Sequence, residues 1–277
     1  MGKFSMIVGA CVATSLMAAA AHAGTVTLNY TNENPYTSNL KVAFNGVSPT
    51  SSSGTLNVGE FNWTVASSPA PVIGPSDPGY GTSALNVGSV VKTFCIEGTQ
   101  YINNPTNFTL TTAANDPNLG TEKAAFLTEL WGRNQTTLNA GPSATFAAAF
   151  QLAVWEIVYD GPTAHPSTPA TDDSYFSGGT FNSFFNTGNF RIYSGQSSDS
   201  AVTTAISLLN SLTGTYTTSS FVLGALTNSS YQDQITAFNT PGVAGSPAVP
   251  LPAALPVGGA MLGAMGLVAR FRKRNRA

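Results

Sequence analysis

The chain has 277 residues, of which 42% are hydrophobic, 10% aromatic and only 9% charged. Between residues 24 and 248, five Lys and Arg residues stand against all 13 Asp and Glu residues, a net charge of −8. Such an acidic, charge-poor surface excludes nucleic acid as a partner. One histidine and one cysteine remain in this range, which excludes a zinc cluster. We therefore expect no metal and no cofactor.

The first 23 residues have the organisation of a secretory signal peptide. Lys3 supplies a positive start, an apolar run covers 6–21, and Ala21, His22 and Ala23 form an A-x-A cleavage site. This order predicts export, with the mature chain beginning at Gly24.

The region that follows is predicted to be rich in strands. Its apolar residues alternate or form short runs separated by Ser, Gly and Pro. The predicted strands are Thr25–Tyr30, Leu40–Phe44, Phe61–Val65 and Ser89–Ile96.

Helices are predicted in the middle of the chain, before two further strands. The helices are Thr121–Arg133, Ser143–Tyr159 with Ser143 as its cap, and Asp199–Leu212. The strands are Thr215–Leu226 and Tyr231–Phe238. The fold class expected for residues 24–248 is α+β and β-rich, a sandwich or barrel-like sheet with a packed helical segment.

The second predicted helix contains only two polar residues between positions 146 and 158, Gln151 and Glu156. A helix that is apolar on nearly every side is buried, and Gln151 shares a stripe with Ala147 and Trp155. A buried carboxamide without a partner costs about 1–3 kcal/mol, so Gln151 requires a specific one. That partner is either a main-chain group in the core or a group with which the carboxamide reacts. Glu156 is expected to face solvent or a polar partner.

Cys95 lies in a predicted strand and has no second cysteine in the mature chain. In an oxidising compartment, a lone thiol is a liability unless it is buried or chemically used. A nucleophilic pair with His165 is the less favoured use, because His165 lies in a Pro-rich loop and no catalytic motif surrounds Cys95.

The segments around Cys95 and Gln151, Phe94–Ile96 and Phe150–Trp155, together resemble the thioester domains of bacterial surface adhesins. The resemblance implies that Cys95 donates the sulfur and Gln151 the acyl group of an internal thioester. It further implies that three aromatic residues shield the bond: Phe94, Phe150 and Trp155. The implied partner is an amine- or hydroxyl-bearing ligand of a cell surface or exopolysaccharide, which the thioester would capture covalently.

The final 29 residues, 249–277, combine a Pro motif, an apolar run and a basic end. The motif consists of Val249, Pro250, Leu251, Pro252 and Ala253. The run to Ala269 carries no charge and is just long enough to cross a bilayer. The basic end contains Arg270, Arg272, Lys273, Arg274 and Arg276, which predicts a cytoplasmic C-terminus.

This tail resembles the PEP-CTERM sorting signals, in the variant whose motif reads VPLPA. The resemblance implies an exosortase-type processing enzyme as a partner. The protein would be anchored in the inner membrane through the tail, then displayed at the cell surface or in the extracellular matrix. An ordinary single-pass anchor is the alternative.

The sequence thus favours a binding protein rather than an enzyme, with no catalytic residues. Its domains are a signal peptide, 1–23, an exported thioester-like domain, 24–248, and a sorting signal, 249–277. The alternative is a non-reactive structural protein of the cell surface or exopolysaccharide matrix, in which Cys95 and Gln151 belong only to the core.

Overall fold

A computed structural model describes residues 24–67, 85, 87–162, 175–214 and 221–239. All of them belong to the first of the chain's two compact units, Met1–Val243. The predicted signal peptide and the predicted sorting tail lie outside the described residues.

The described residues form eight strands and four helices. The strands are β1 (Gly24–Leu40), β2 (Val42–Ala43), β3 (Leu56–Ser67), β4 (Val90–Cys95), β5 (Thr106–Thr112), β6 (Arg191–Ile192), β7 (Phe221–Thr227) and β8 (Gln234–Asn239). The helices are α1 (Gly120–Ala140), α2 (Ala144–Asp160), α3 (Phe181–Phe184) and α4 (Ser200–Asn210).

Six strands close into an antiparallel barrel in the order β1-β3-β4-β8-β7-β5. Alternation of buried and exposed residues explains the sheet: along β5, Thr106, Phe108 and Leu110 are buried whereas the residues between them are exposed. In the core, the rings of Trp63 and Phe108 meet edge to face at 5.4 Å. The strands β2 and β6 form a separate two-stranded ladder.

Helix α2 is the buried helix of the fold. It packs against β1, β3 and β4 and also against α1 and α4. Ser143 caps its first turn, because the Ser143 hydroxyl accepts a hydrogen bond from the N–H of Phe146 at 3.2 Å. Every residue from Ala147 to Ile157 is buried, as the nearly continuous apolar sequence predicts.

The α+β, β-rich class is confirmed, and the sheet is a barrel. Several element boundaries differ from the prediction. The strand predicted at Leu40–Phe44 is shorter in the structure, because β1 extends to Leu40 and only Val42–Ala43 forms a strand after it. Helix α1 extends past Arg133 to Ala140 and ends at Gly141, which has a φ of +87° that favours glycine.

Strand β5 was not predicted, although Thr106–Thr112 alternates with period two. Within the part of the chain that the structure describes, no helix combines the length and the hydropathy needed to cross a membrane.

Candidate functional site

Cys95 is the last residue of β4 and its thiol is free and buried. On one side, β4 pairs with β8 through Phe94 and Cys95. On the other side, its register with β3 ends at the pair of Phe61 and Thr93. Cys95 therefore lies beyond the part of β4 that pairs with β3.

The side chain of Gln151 forms two hydrogen bonds with the main chain of Cys95. Oε1 of Gln151 accepts a hydrogen bond from the N–H of Cys95 at 2.8 Å, and Nε2 donates one to the Cys95 carbonyl at 2.7 Å. The carboxamide thus pairs with Cys95 as the peptide group of a neighbouring strand would. Gln151 is 0% exposed, which confirms the predicted burial and the need for a specific partner.

The thiol of Cys95 is held by the main chain of Glu97. Sγ donates to the Glu97 carbonyl at 2.9 Å and accepts from the Glu97 N–H at 3.2 Å. Burial raises the pKa of the Cys95 thiol well above its ordinary range. The thiol is therefore neutral, and it is hidden from soluble oxidants and thiol reagents.

The three predicted shielding residues are all buried, in two aromatic groups. The rings of Phe94 and Phe150 lie 4.6 Å apart, and both contact Trp131. Trp155 packs instead against Phe44 and Phe190. The Trp155 indole also lies near the thiol and acts to lower its pKa, against the larger effect of burial.

Glu156 was predicted to face solvent or a polar partner, and its burial shows that the first of these is wrong. It is 4% exposed, and its Oε2 has no hydrogen-bond partner. Burial, together with the negative charge of Asp160, raises the pKa of Glu156 to about 10. Glu156 is consequently a neutral carboxylic acid at pH 7. His165 and the five motif and five basic residues of the tail lie outside the described residues.

A group of acidic residues near Cys95 was not predicted from the sequence. Glu97, Asp116 and Asp233 line a cavity of about 520 Å³. Burial raises the pKa of Asp233 to about 6, and the charges of Glu97 and Asp116 raise it as well. No periodic pattern links these residues, because three separate loops bring them together. Among the described residues, no three His, Cys, Asp or Glu side chains lie close enough to hold a metal ion.

Chemically, the site holds the thiol of Cys95 and the carboxamide of Gln151 in a buried environment. The carboxamide contacts the main chain of Cys95, whereas the sulfur contacts the main chain of Glu97. For attack, the Sγ must turn away from Glu97. No protein-family model matches the chain, and neither a curated protein nor a solved structure shows significant similarity to it.

Proposed function

We propose that the protein is an exported surface protein that captures its ligand covalently through an internal thioester between Cys95 and Gln151. The observation that supports this most is the paired hydrogen bonding of the Gln151 carboxamide to Cys95, at 2.7 and 2.8 Å, inside a buried site. These two bonds hold the carboxamide in one orientation, and once Sγ turns from Glu97 toward it, well-oriented groups reach effective molarities on the order of 10⁵ M or more.

The proposed bond forms by acyl transfer without any oxidant. Sγ of Cys95 attacks the amide carbon of Gln151, the C–N bond breaks, and the thiol proton leaves with the nitrogen as ammonia. An amine or hydroxyl of the ligand later attacks the same carbon. The C–S bond then breaks, and the thiol regains a proton while the ligand is joined to Gln151.

Burial gives the thioester its lifetime. Gln151 and Cys95 are both 0% exposed, and Trp155 is 3% exposed. Water is therefore kept from the acyl carbon until a ligand enters. The raised pKa of the thiol means that the attack requires a proton acceptor, and Asp233, whose pKa is about 6, is an ionised carboxylate near the sulfur at pH 7.

The intact mass of the mature domain tests this proposal. We expect the wild type to weigh one ammonia less than its sequence and to add methylamine at Gln151 while releasing the Cys95 thiol. Cys95→Ala and Gln151→Ala should have their full sequence mass and no adduct. Gln135→Ala, the same change in α1, should behave as the wild type. A full wild-type mass, with no methylamine adduct, would sink the proposal.

A second candidate is a non-reactive structural protein of the cell surface or exopolysaccharide matrix. The observation that favours it is that Gln151 has a partner at both ends of its carboxamide, as a core residue should. Under this hypothesis, the mass experiment gives the full sequence mass, and the thiol labels only after unfolding because it is buried.

We also propose that an exosortase-type enzyme processes the tail at a membrane. This proposal rests on the order of motif, apolar run and basic end in the sequence. Removing residues 270–276 should impair membrane retention and processing, whereas replacing the four arginines with lysine should not, because topology follows positive charge. Normal processing of the truncated chain would contradict the proposal.

A further inference from the structure

A second cavity lies beside the covalent site. Its volume is about 400 Å³, and it is bounded by β1, β3, α2 and the segment that follows β4. Trp155, one helical turn after Gln151, forms part of its wall, as do Gly98 and Thr99, which follow Cys95 closely in the chain. The cavity is thus next to the thiol and carboxamide.

Two of the residues that line this cavity carry a buried polar atom without a hydrogen-bond partner. They are Oε1 of Glu33 and Oε1 of Gln100. Native proteins leave few such atoms, since each costs about 1–3 kcal/mol. Two acceptors without partners in residues that line one cavity indicate a ligand that donates hydrogen bonds.

The remaining lining combines neutral polar side chains with the apolar side chains of Leu56, Phe61 and Ile102. Asn57 and Gln232 add carboxamides, and the Asn57 side chain hydrogen-bonds to the Glu33 carboxyl group. Tyr101 is 88% exposed, so it offers an aromatic ring to solvent at the same cavity. An exposed ring next to carboxamides and a carboxyl group suits a ligand with hydroxyl groups around an apolar ring face.

We propose that this cavity binds a neutral saccharide, whose hydroxyls donate to Glu33 and Gln100 while its ring lies in the cavity beside Trp155. The two acceptor atoms are hidden from water, but both side chains are only half-buried and can turn toward an entering ligand. The saccharide would be the ligand of the proposed covalent capture, and to that extent this inference rests on the proposed function. Non-covalent binding in the cavity does not itself require the thioester.

The indole N–H signals in an NMR spectrum of the Cys95→Ala protein test the proposal, because this variant forms no thioester but keeps Gln151. The chain has three tryptophans, so Trp63 and Trp131, which do not line the cavity, serve as internal controls. Glucose, galactose, mannose and their linear oligosaccharides are titrated separately. We expect a saturable shift of the Trp155 signal with at least one sugar, at roughly millimolar concentration.

Two variants extend the test. Gln100→Ala and Glu33→Ala should each weaken binding at least about tenfold, while Gln135→Ala, whose side chain lines a different cavity, should not. Unchanged Trp63 and Trp131 signals show that each variant is folded.

The inference would be overturned if no sugar gave a saturable shift at Trp155, or if all three indole signals shifted alike. Tighter binding of spermidine than of every sugar would also overturn it, because the site would then be one for cations. None of these outcomes depends on the mass of the wild type, so failure of the saccharide site and failure of the thioester are distinguishable.

Discussion

At the scale of single residues, the Gln151 side chain forms the two main-chain hydrogen bonds that a neighbouring strand would otherwise form with Cys95. Beyond Thr93, β4 has no further register with β3, and Cys95 would leave an N–H and a carbonyl without partners in the core. The carboxamide supplies one acceptor and one donor at these two groups. This role is structural whether or not the thioester forms, and it accounts for a polar side chain at the centre of an apolar helix.

Gln151→Ala is therefore expected to be destabilising even without the thioester. In the Cys95→Ala background, we expect the free energy of unfolding to fall by roughly 2–5 kcal/mol, because two buried main-chain groups lose their partners and a cavity remains. Urea denaturation followed by tryptophan fluorescence measures the change.

Gln135→Ala, the matched control in α1, should change the stability by less than about 0.5 kcal/mol. A comparably small loss for Gln151→Ala would show that the two hydrogen bonds contribute little to the fold.

At the scale of elements, Glu129 joins α1 to the segment that follows α4. The carboxylate is 0% exposed and accepts hydrogen bonds from the main-chain N–H groups of Thr213 and Gly214 and from the Thr213 hydroxyl, at 2.7–3.0 Å. Arg133, one turn later in α1, pairs with it at 2.7 Å and is 38% exposed. Thr213, Gly214 and Arg133 thus all donate hydrogen bonds to the buried carboxylate of Glu129.

Removing the two partners of this ion pair should have unequal effects. Glu129→Ala is expected to cost about 3–5 kcal/mol, because two main-chain N–H groups and a guanidinium lose a buried partner. Arg133→Ala should cost less, about 1 kcal/mol, since Glu129 keeps its other donors and Arg133 is partly exposed.

Chemical denaturation of the two variants measures both values. Equal losses would mean that the ion pair, rather than the hydrogen bonds to residues 213 and 214, holds the two elements together.

At the scale of the whole molecule, several carboxyl groups have raised pKa values. Burial raises the pKa of Glu33 to about 7, that of Glu156 to about 10 and that of Asp233 to about 6. In each case the folded protein retains a proton at a pH where the unfolded chain has released it. The native state then binds more protons, so stability falls as the pH rises from the unfolded pKa, about 4, toward the folded values.

We predict that the melting temperature falls steadily between pH 5 and pH 9. Each proton held only by the folded state lowers the free energy of unfolding by up to about 1.4 kcal/mol per pH unit. Above pH 7 the slope should come mainly from Glu156, the most buried of the three groups.

Glu156→Gln should remove most of this slope, because the amide resembles the protonated acid and does not titrate. The variant should match the wild type near pH 5 and exceed its melting temperature at pH 9, as measured by calorimetry. A wild-type melting temperature that is constant or rises across this range would contradict the assignment.

The sequence by itself determined the local features of this protein. The apolar residues on all sides of α2 required burial of Gln151, Ser143 had the position and chemistry of a helix cap, and the run before Cys95 had the pattern of a strand. These features depend on residues a few positions apart, so periodicity and capping were sufficient to predict them.

Only the tertiary structure decided what those residues meet. No local sequence pattern predicts that Gln151 pairs with the main chain of Cys95, 56 positions earlier. Nor does one predict that β4 lies between β3 and β8 in a closed barrel. The cavity proposed to bind a saccharide likewise draws Glu33, Gln100 and Trp155 from distant segments. Closure of the barrel brings these residues together, and closure depends on the pairing of strands far apart in the chain, for which single-sequence periodicity carries no information.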